Sequence, residues 1–200
     1  MAERLQVGVL ISGRGSNMVA ISEHKRRDPE RPYDIALVAS NVPDARGLVA
    51  ARRLGLKTWA MSHKDMERAE FDRHLDDALR AAGVELIALA GYMRLLSDDF
   101  VDAWDGRILN IHPSLLPLYK GLDTHRRALT AGDENGGCSV HVVTRDLDSG
   151  PVIAQAKVRI QPRDDAESLA ARVLEEEHQL YPIALEQYAL ALRREERRDG

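Results

Sequence analysis

Asn110 and His112 stand two residues apart at the end of an apolar run, Arg107 to Ile111, and a strand there turns both side chains to one face. An amide N–H can hold a carbonyl oxygen that is becoming an oxyanion, and a protonated imidazole can stabilise the same charge while moving protons. Pro113 restricts His112 to extended backbone and so helps to fix its place. A carboxylate beside such an imidazole keeps it charged and can position water. The turn Asp146-Leu147-Asp148-Ser149-Gly150-Pro151 offers Asp148 as that partner, although the same string also reads as an ordinary solvated turn.

A second site could lie at Ser12-Gly13-Arg14-Gly15-Ser16-Asn17, between an apolar run and a helical one. Glycines let backbone amides approach an anion, and the helix start adds its own N–H groups and dipole, so the string could cradle a phosphate. It lacks the third glycine of a dinucleotide fingerprint and the Gly-Lys-Ser/Thr of a P-loop, and it would also serve as a tight turn with a helix cap. His125, behind a capping Thr124, and His141, in mid-strand, read as structural. No H-E-x-x-H or C-x-x-C spacing occurs, so no metal is expected, and no G-x-S-x-G elbow suggests a hydrolase. Cys138 is the one cysteine; it reads as a small buried residue, and a chain without disulfides suits a reducing compartment.

The elements that would position these groups alternate. Leu5 to Ile11 is a strand, Met18 to Arg27 a helix, Asp34 to Ala39 a strand, and Ala45 to Leu54 a helix that Gly55 ends. Lys57 to Ala60 is a short strand, Asp65 to Ala82 a helix closed by Gly83, and Glu85 to Ala90 a strand. Ser97, with Asp98 and Asp99, caps a short helix through Ala103. This rhythm predicts an α/β fold with a doubly wound, mainly parallel sheet. Gly137 to Thr144 and Pro151 to Ile160 then follow as consecutive strands, an antiparallel edge. A long C-terminal helix runs from Asp164 to about Arg194, with a bend expected near Tyr181-Pro182 and a solvated or frayed end beyond Ala191.

The bulk properties narrow the function classes. With 200 residues, 44% hydrophobic and 30% charged, residues 1–200 are expected to form a single domain. A formal charge of −4 gives no uniform positive field, so nucleic acid is not an expected partner. The apolar stretch at the N-terminus is too short for a signal core or a membrane span, and a soluble, cytoplasmic protein without membrane association is expected.

Four strings, Ile11 to Asn17, Ala88 to Arg94, Leu109 to Pro117 and Leu147 to Ile153, together resemble the phosphoribosylglycinamide formyltransferase family, the folate-dependent transformylases of purine synthesis. The resemblance runs from Val7 to about Pro182 and implies a Rossmann-like formyltransferase domain. It implies attack by the amine of phosphoribosylglycinamide on the formyl carbon of 10-formyltetrahydrofolate, through a tetrahedral intermediate with no formyl-enzyme stage. Asn110, His112 and Asp148 match the catalytic trio: Asn110 and protonated His112 hold the oxyanion, and Asp148 keeps the imidazole charged. Gly15, Ser16, Asn17, Pro113 and Glu177 match positions that bind the ribonucleotide. Arg68, Met93, Arg94, Leu95, Leu96, Asn110 and the segment Thr144, Arg145, Asp146, Leu147 and Asp148 match folate-binding positions, with Arg94 drawing in the folate's glutamate end.

Three positions depart from the commoner family pattern: Arg14 in the glycine loop, Lys120 after Tyr119, and Asp123. All three leave the trio intact. Small molecules are the expected partners, in a monomer or homodimer. A formyltetrahydrofolate hydrolase shares the trio but usually carries a regulatory domain; a transfer-RNA formyltransferase needs a further domain and a basic surface. A non-catalytic nucleotide-binding module needs no His112 with Asp148. Leu116-Pro117, in a tight turn beside the trio, is a candidate cis peptide.

Overall fold

The computed structural model describes residues 4–199. The elements follow as β1 (Leu5–Ile11), α1 (Ser16–Arg27), β2 (Tyr33–Ser40), α2 (Arg46–Arg53), β3 (Thr58–Ala60), α3 (Arg68–Ala81) and β4 (Leu86–Leu89). Then come α4 (Asp98–Ala103), β5 (Ile108–His112), α5 (Thr124–Ala131), β6 (Asn135–Val142), β7 (Val152–Arg159) and α6 (Ala166–Asp199). The sheet order is β3-β2-β1-β4-β5-β6-β7. Pairings from β3 to β5 are parallel, and β6 and β7 join antiparallel at one edge. The doubly wound sheet and antiparallel edge match the expectation. Strand order reverses between β1 and β4, which opens a crevice at the carboxyl ends of these strands.

Alternation along β1 explains why helices cover both faces. Leu5, Val7, Val9 and Ile11 point into one core with Met18 and Ile21 of α1, Leu48 of α2, and Leu169, Val173 and Leu185 of α6. Leu10 points to the opposite core, shared with α3 and α4. The α3 segment is highly charged and has no side-chain cap, but Phe71, Leu75 and Leu79 recur every four residues and are buried. Burying each contributes about 1.5–3 kcal/mol, more than a missing cap of about 1 kcal/mol removes, so packing decides the helix.

Several boundaries differ from expectation because partners across the sheet set them. His112 closes β5 because it pairs with Ser139, and β6 opens at Asn135 because that residue pairs with Arg159. Ser97 occupies the α4 cap position, yet its hydroxyl caps nothing; its N–H instead donates to Asp72 Oδ2 at 2.6 Å. Thr124 is the first helical residue of α5 rather than its cap, and Asp123 precedes it in left-handed conformation, φ 58°. The tail beyond Ala191 is not frayed but continues α6, because Arg193 reaches Glu85 at 2.8 Å and Glu196 reaches Arg107 at 2.9 Å. The Leu116–Pro117 peptide is cis, as expected. Among the described residues, no helix is long and apolar enough to cross a membrane.

Helix α6 runs unbroken through Pro182, whose missing N–H and ring cost a helix interior about 3 kcal/mol. Burial of Tyr181, Ala184 and Leu185 against the sheet offsets this. The Tyr181 hydroxyl reaches the carbonyls of both Leu89 and Leu109 at 3.1 Å, pinning α6 across β4 and β5 just below the strand ends. Tyr181→Phe should therefore cost about 1–2 kcal/mol, read as a fall of a few degrees in Tm. An unchanged Tm would show that the hydroxyl contributes nothing there.

Candidate active site

The groups singled out in the sequence lie on loops and strand ends at the carboxyl edge of the sheet. Asn110 and His112 finish β5, flanked by β4 and by β6. His112 is 5% exposed, and its Nδ1 lies 3.3 Å from Asp148 Oδ2. The loop after β6 delivers Asp148 with φ 47°. Gly150, two residues on, is needed for that turn, since a Cβ there would meet the Val142 carbonyl oxygen at 1.9 Å. On its other side the His112 ring meets the Tyr119 carbonyl oxygen, 2.9 Å from Nε2. Both ring nitrogens thus face acceptors, an environment that satisfies both protons of an imidazolium.

A fourth side chain, His141 of β6, joins the trio. Register places it opposite Asn110, its Nδ1 donates to the Val142 carbonyl at 3.0 Å, and its Nε2 lies 3.1 Å from Asn110 Nδ2 and 3.5 Å from Asp148 Oδ1. That nitrogen serves one neighbour at a time: unprotonated it accepts from Asn110, and protonated it donates to Asp148. Burial alone would raise the Asp148 pKa, but the His141 contact, the Gly121 N–H and the charge of His112 outweigh it and hold the carboxyl below its ordinary value. The Gly121 N–H bond to Asp148 Oδ2 is 2.9 Å long. Asp148 is therefore a carboxylate at neutral pH.

The reading of His141 as structural missed this contact. Its signal was a polar pair, Ser139 and His141, two apart on an otherwise buried strand. Ser139 holds the loop after His112: its hydroxyl donates to the Ser114 carbonyl at 2.6 Å and accepts from Leu116 N–H at 3.0 Å. Gln155 of β7 donates to Ser139 Oγ at 2.8 Å and to the Leu116 carbonyl at 2.9 Å. Pro113, half-buried, sits within this braced turn.

The glycine loop lies at the end of β1. Gly15, φ 74°, precedes α1, and no side chain caps the helix, so its first N–H groups have no side-chain acceptor there. Asn17 Nδ2 donates to Glu177 Oε2 at 2.7 Å, while Asn17 Oδ1 is buried without a partner. Burial raises the Glu177 pKa, and the Asn17 bond only partly opposes it. Glu177 also lies close enough to Cys138, next to Ser139, to help push that thiol up to about 12, after burial itself. The structure thus brings Asn17 and Glu177 together on the face of the sheet that α1 and α6 cover.

Gly47 of α2 is a residue the sequence reading did not single out. Its N–H donates to the Gly13 carbonyl at 2.9 Å, and a Cβ on it would lie 2.6 Å from Ile11 Cδ1 and 3.0 Å from Gly15 Cα. Gly47→Ala must push the loop outward. A loss of about tenfold or more in affinity for a phosphate-bearing ligand is expected, equivalent to about 1.4 kcal/mol, measurable by calorimetry; unchanged affinity would remove the loop from the phosphate site.

Around the trio, Met93, Leu95 and Leu147 are 71%, 53% and 53% exposed. Arg145 ties the 144–148 loop to Asp102 of α4, the helix that the 93–96 segment leads into, with Nε to Oδ1 at 2.7 Å. Thr144 and Asp146 bond to each other within that loop, and Leu96 is half-buried. Arg94 is folded inward, its guanidinium 5.2 Å from the Phe71 ring and its charge directed at buried Asp72. Exposed Arg68 adds a second positive charge near Asp72. Arg94 is thus half-buried and turned inward, whereas Arg68 stays exposed. Of the departing positions, Lys120 Nζ donates to Ser149 Oγ at 2.7 Å and Asp123 pairs with Arg126 at 2.6 Å. Among the described residues, no group of three or more His, Cys, Asp or Glu is placed to hold a metal ion.

Comparison with known proteins shows the family. The formyl transferase family matches residues 5–185. The phosphoribosylglycinamide formyltransferase of Escherichia coli (strain K12) is 44% identical over 186 residues, which cover 92% of this chain and 87% of that protein. The trifunctional purine biosynthetic protein adenosine-3 of Drosophila melanogaster is 46% identical over 91% of this chain, which spans only 14% of that protein's length. The crystal structure of phosphoribosylglycinamide formyltransferase from Brucella melitensis has a TM-score of 0.88 at 47% identity, covering 94% of this chain and 96% of that one. The chain belongs to the formyl transferase family, among its phosphoribosylglycinamide formyltransferases.

Proposed function

We propose that the protein transfers the formyl group of 10-formyltetrahydrofolate to the amine of phosphoribosylglycinamide, giving formylglycinamide ribonucleotide and tetrahydrofolate for purine synthesis. What supports the reading is a pair of half-sites: a buried imidazole between two acceptors at the end of β5, and, at the end of β1, an uncapped helix start with a buried carboxylate beside it. The start of α1, with Gly15, Ser16 and Asn17, takes the phosphate, and Glu177, together with Pro113 on the rim, orients the glycinamide. The 93–96 and 144–148 segments suit a flat, mostly apolar ring, because their exposed leucines and methionine adjoin backbone groups that can read a polar edge. Arg68 and Arg94 lie behind them as positive charge for the folate's acidic end.

As the amine nitrogen bonds to the formyl carbon, charge builds on the formyl oxygen. The Asn110 amide stabilises that charge, joined by the His112 Nε2–H as it exchanges the Tyr119 carbonyl for the substrate oxygen. His112 then supplies the proton that lets the carrier nitrogen leave, and Asp148, ionised at neutral pH, holds the ring charged and accepts a proton from the attacking amine through water. We place the reaction in the cytoplasm, with small molecules as partners and no metal or nucleic acid.

The test supplies purified protein with 10-formyltetrahydrofolate, with and without phosphoribosylglycinamide, and measures formylated nucleotide and formate. Nucleotide product that depends on the amine is expected. Formate released at the same rate in both arms would replace transfer by hydrolysis.

A further inference from the structure

Three adjacent strands, β2, β1 and β4, end side by side, and Ser12 follows the middle one. Its N–H donates to the Gly91 carbonyl at 3.2 Å, and its hydroxyl accepts from Met93 N–H at 2.8 Å. The same hydroxyl donates to Asn41 Oδ1 at 2.6 Å, and Asn41, 3% exposed at the end of β2, is itself held by His63 Nδ1, 2.8 Å from its carbonyl. One residue further along, the Gly13 carbonyl accepts from Gly47 N–H at 2.9 Å. The loop assigned to the phosphate and the loop assigned to the folate are therefore bonded to each other through one side chain.

We propose that Ser12 couples the two substrate sites, so that a ligand ordering either loop tightens the other. This rests on the function proposed above. A hydroxyl has one hydrogen and two lone pairs, and here the hydrogen is committed to Asn41 while a lone pair is committed to Met93. The Met93 N–H is spent on Ser12, so the orientation of the first peptide of the 93–96 segment is set by the glycine loop. Ordering the Gly15–Asn17 amides on an anion fixes Ser12, and Ser12 fixes Met93. Linkage requires the effect to be reciprocal and equal in both directions. Ser12 is a positioning residue in this account, since it need touch neither substrate.

The experiment titrates phosphoribosylglycinamide into the protein by calorimetry, with and without saturating tetrahydrofolate, which cannot turn over. The ratio of the two Kd values should be about fivefold or more in the parent protein and within about twofold of unity in Ser12→Ala. Asn41→Leu, which removes the hydroxyl's acceptor at similar volume, should lower the ratio likewise and stands in if Ser12→Ala does not fold. A purely structural Ser12 would weaken both binary affinities and leave the ratio untouched; that result overturns the coupling, as does a parent ratio of one. Failure of the parent to bind either ligand would instead bring down the functional reading, which the binary titrations report separately.

Discussion

Replacing His112 by alanine should lower kcat by about 10²–10⁴-fold and leave KM for both substrates within a few-fold. The imidazole touches the reacting atoms only through its protons, and the groups assigned to substrate affinity, the α1 amides, Glu177 and the apolar segments, lie elsewhere. Asp148 is not stranded by the change, because the Gly121 N–H and His141 still face it. The fold should hold, which a thermal scan would check. The measurement is steady-state kinetics supported by single-turnover analysis, since an interaction made only in the transition state lowers kcat and kcat/KM equally. A variant with normal kcat and a raised KM would mean that His112 binds substrate and does not catalyse.

Local rules made much of this molecule legible. Leu5 to Ile11 is a strand to the residue, and Gly55 and Gly83 follow α2 and α3 with φ 76° and 71°, because apolar spacing and helix-ending glycines are properties of short windows. The pair Asn110 and His112 was legible for the same reason, alternation within one strand. What stayed hidden depends on pairing between distant segments. Nothing near His141 indicates that antiparallel register sets it against Asn110, and nothing near Gly47 indicates that Gly15 will pack on it. Ser97 looked like a cap until Asp72, on another helix, took its N–H. The tail is solvated from Arg194 to Arg198, as its charges suggested, but what holds it helical was hidden, because Glu85 and Arg107 supply partners from the far end of the sheet.

Asp148 offers a test that reads the electrostatics directly. Asp148→Asn preserves the shape and the acceptor for Gly121 N–H but removes the counter-charge of His112, and kcat at neutral pH should fall by about 10²–10⁴-fold. A second consequence concerns stability. The folded carboxyl titrates below its ordinary value of about 4, so on acidification the unfolded chain takes up the proton first. Its stabilising contribution is complete above the unfolded value and is lost as pH falls through the folded one. The Tm of the parent should therefore decline across that acid window more steeply than the Tm of Asp148→Asn, which has no such proton to bind. Parallel Tm curves would show that His112, His141 and Gly121 do not hold the carboxylate as the geometry requires, and the assignment of Asp148 as the counter-charge of His112 would fall with them.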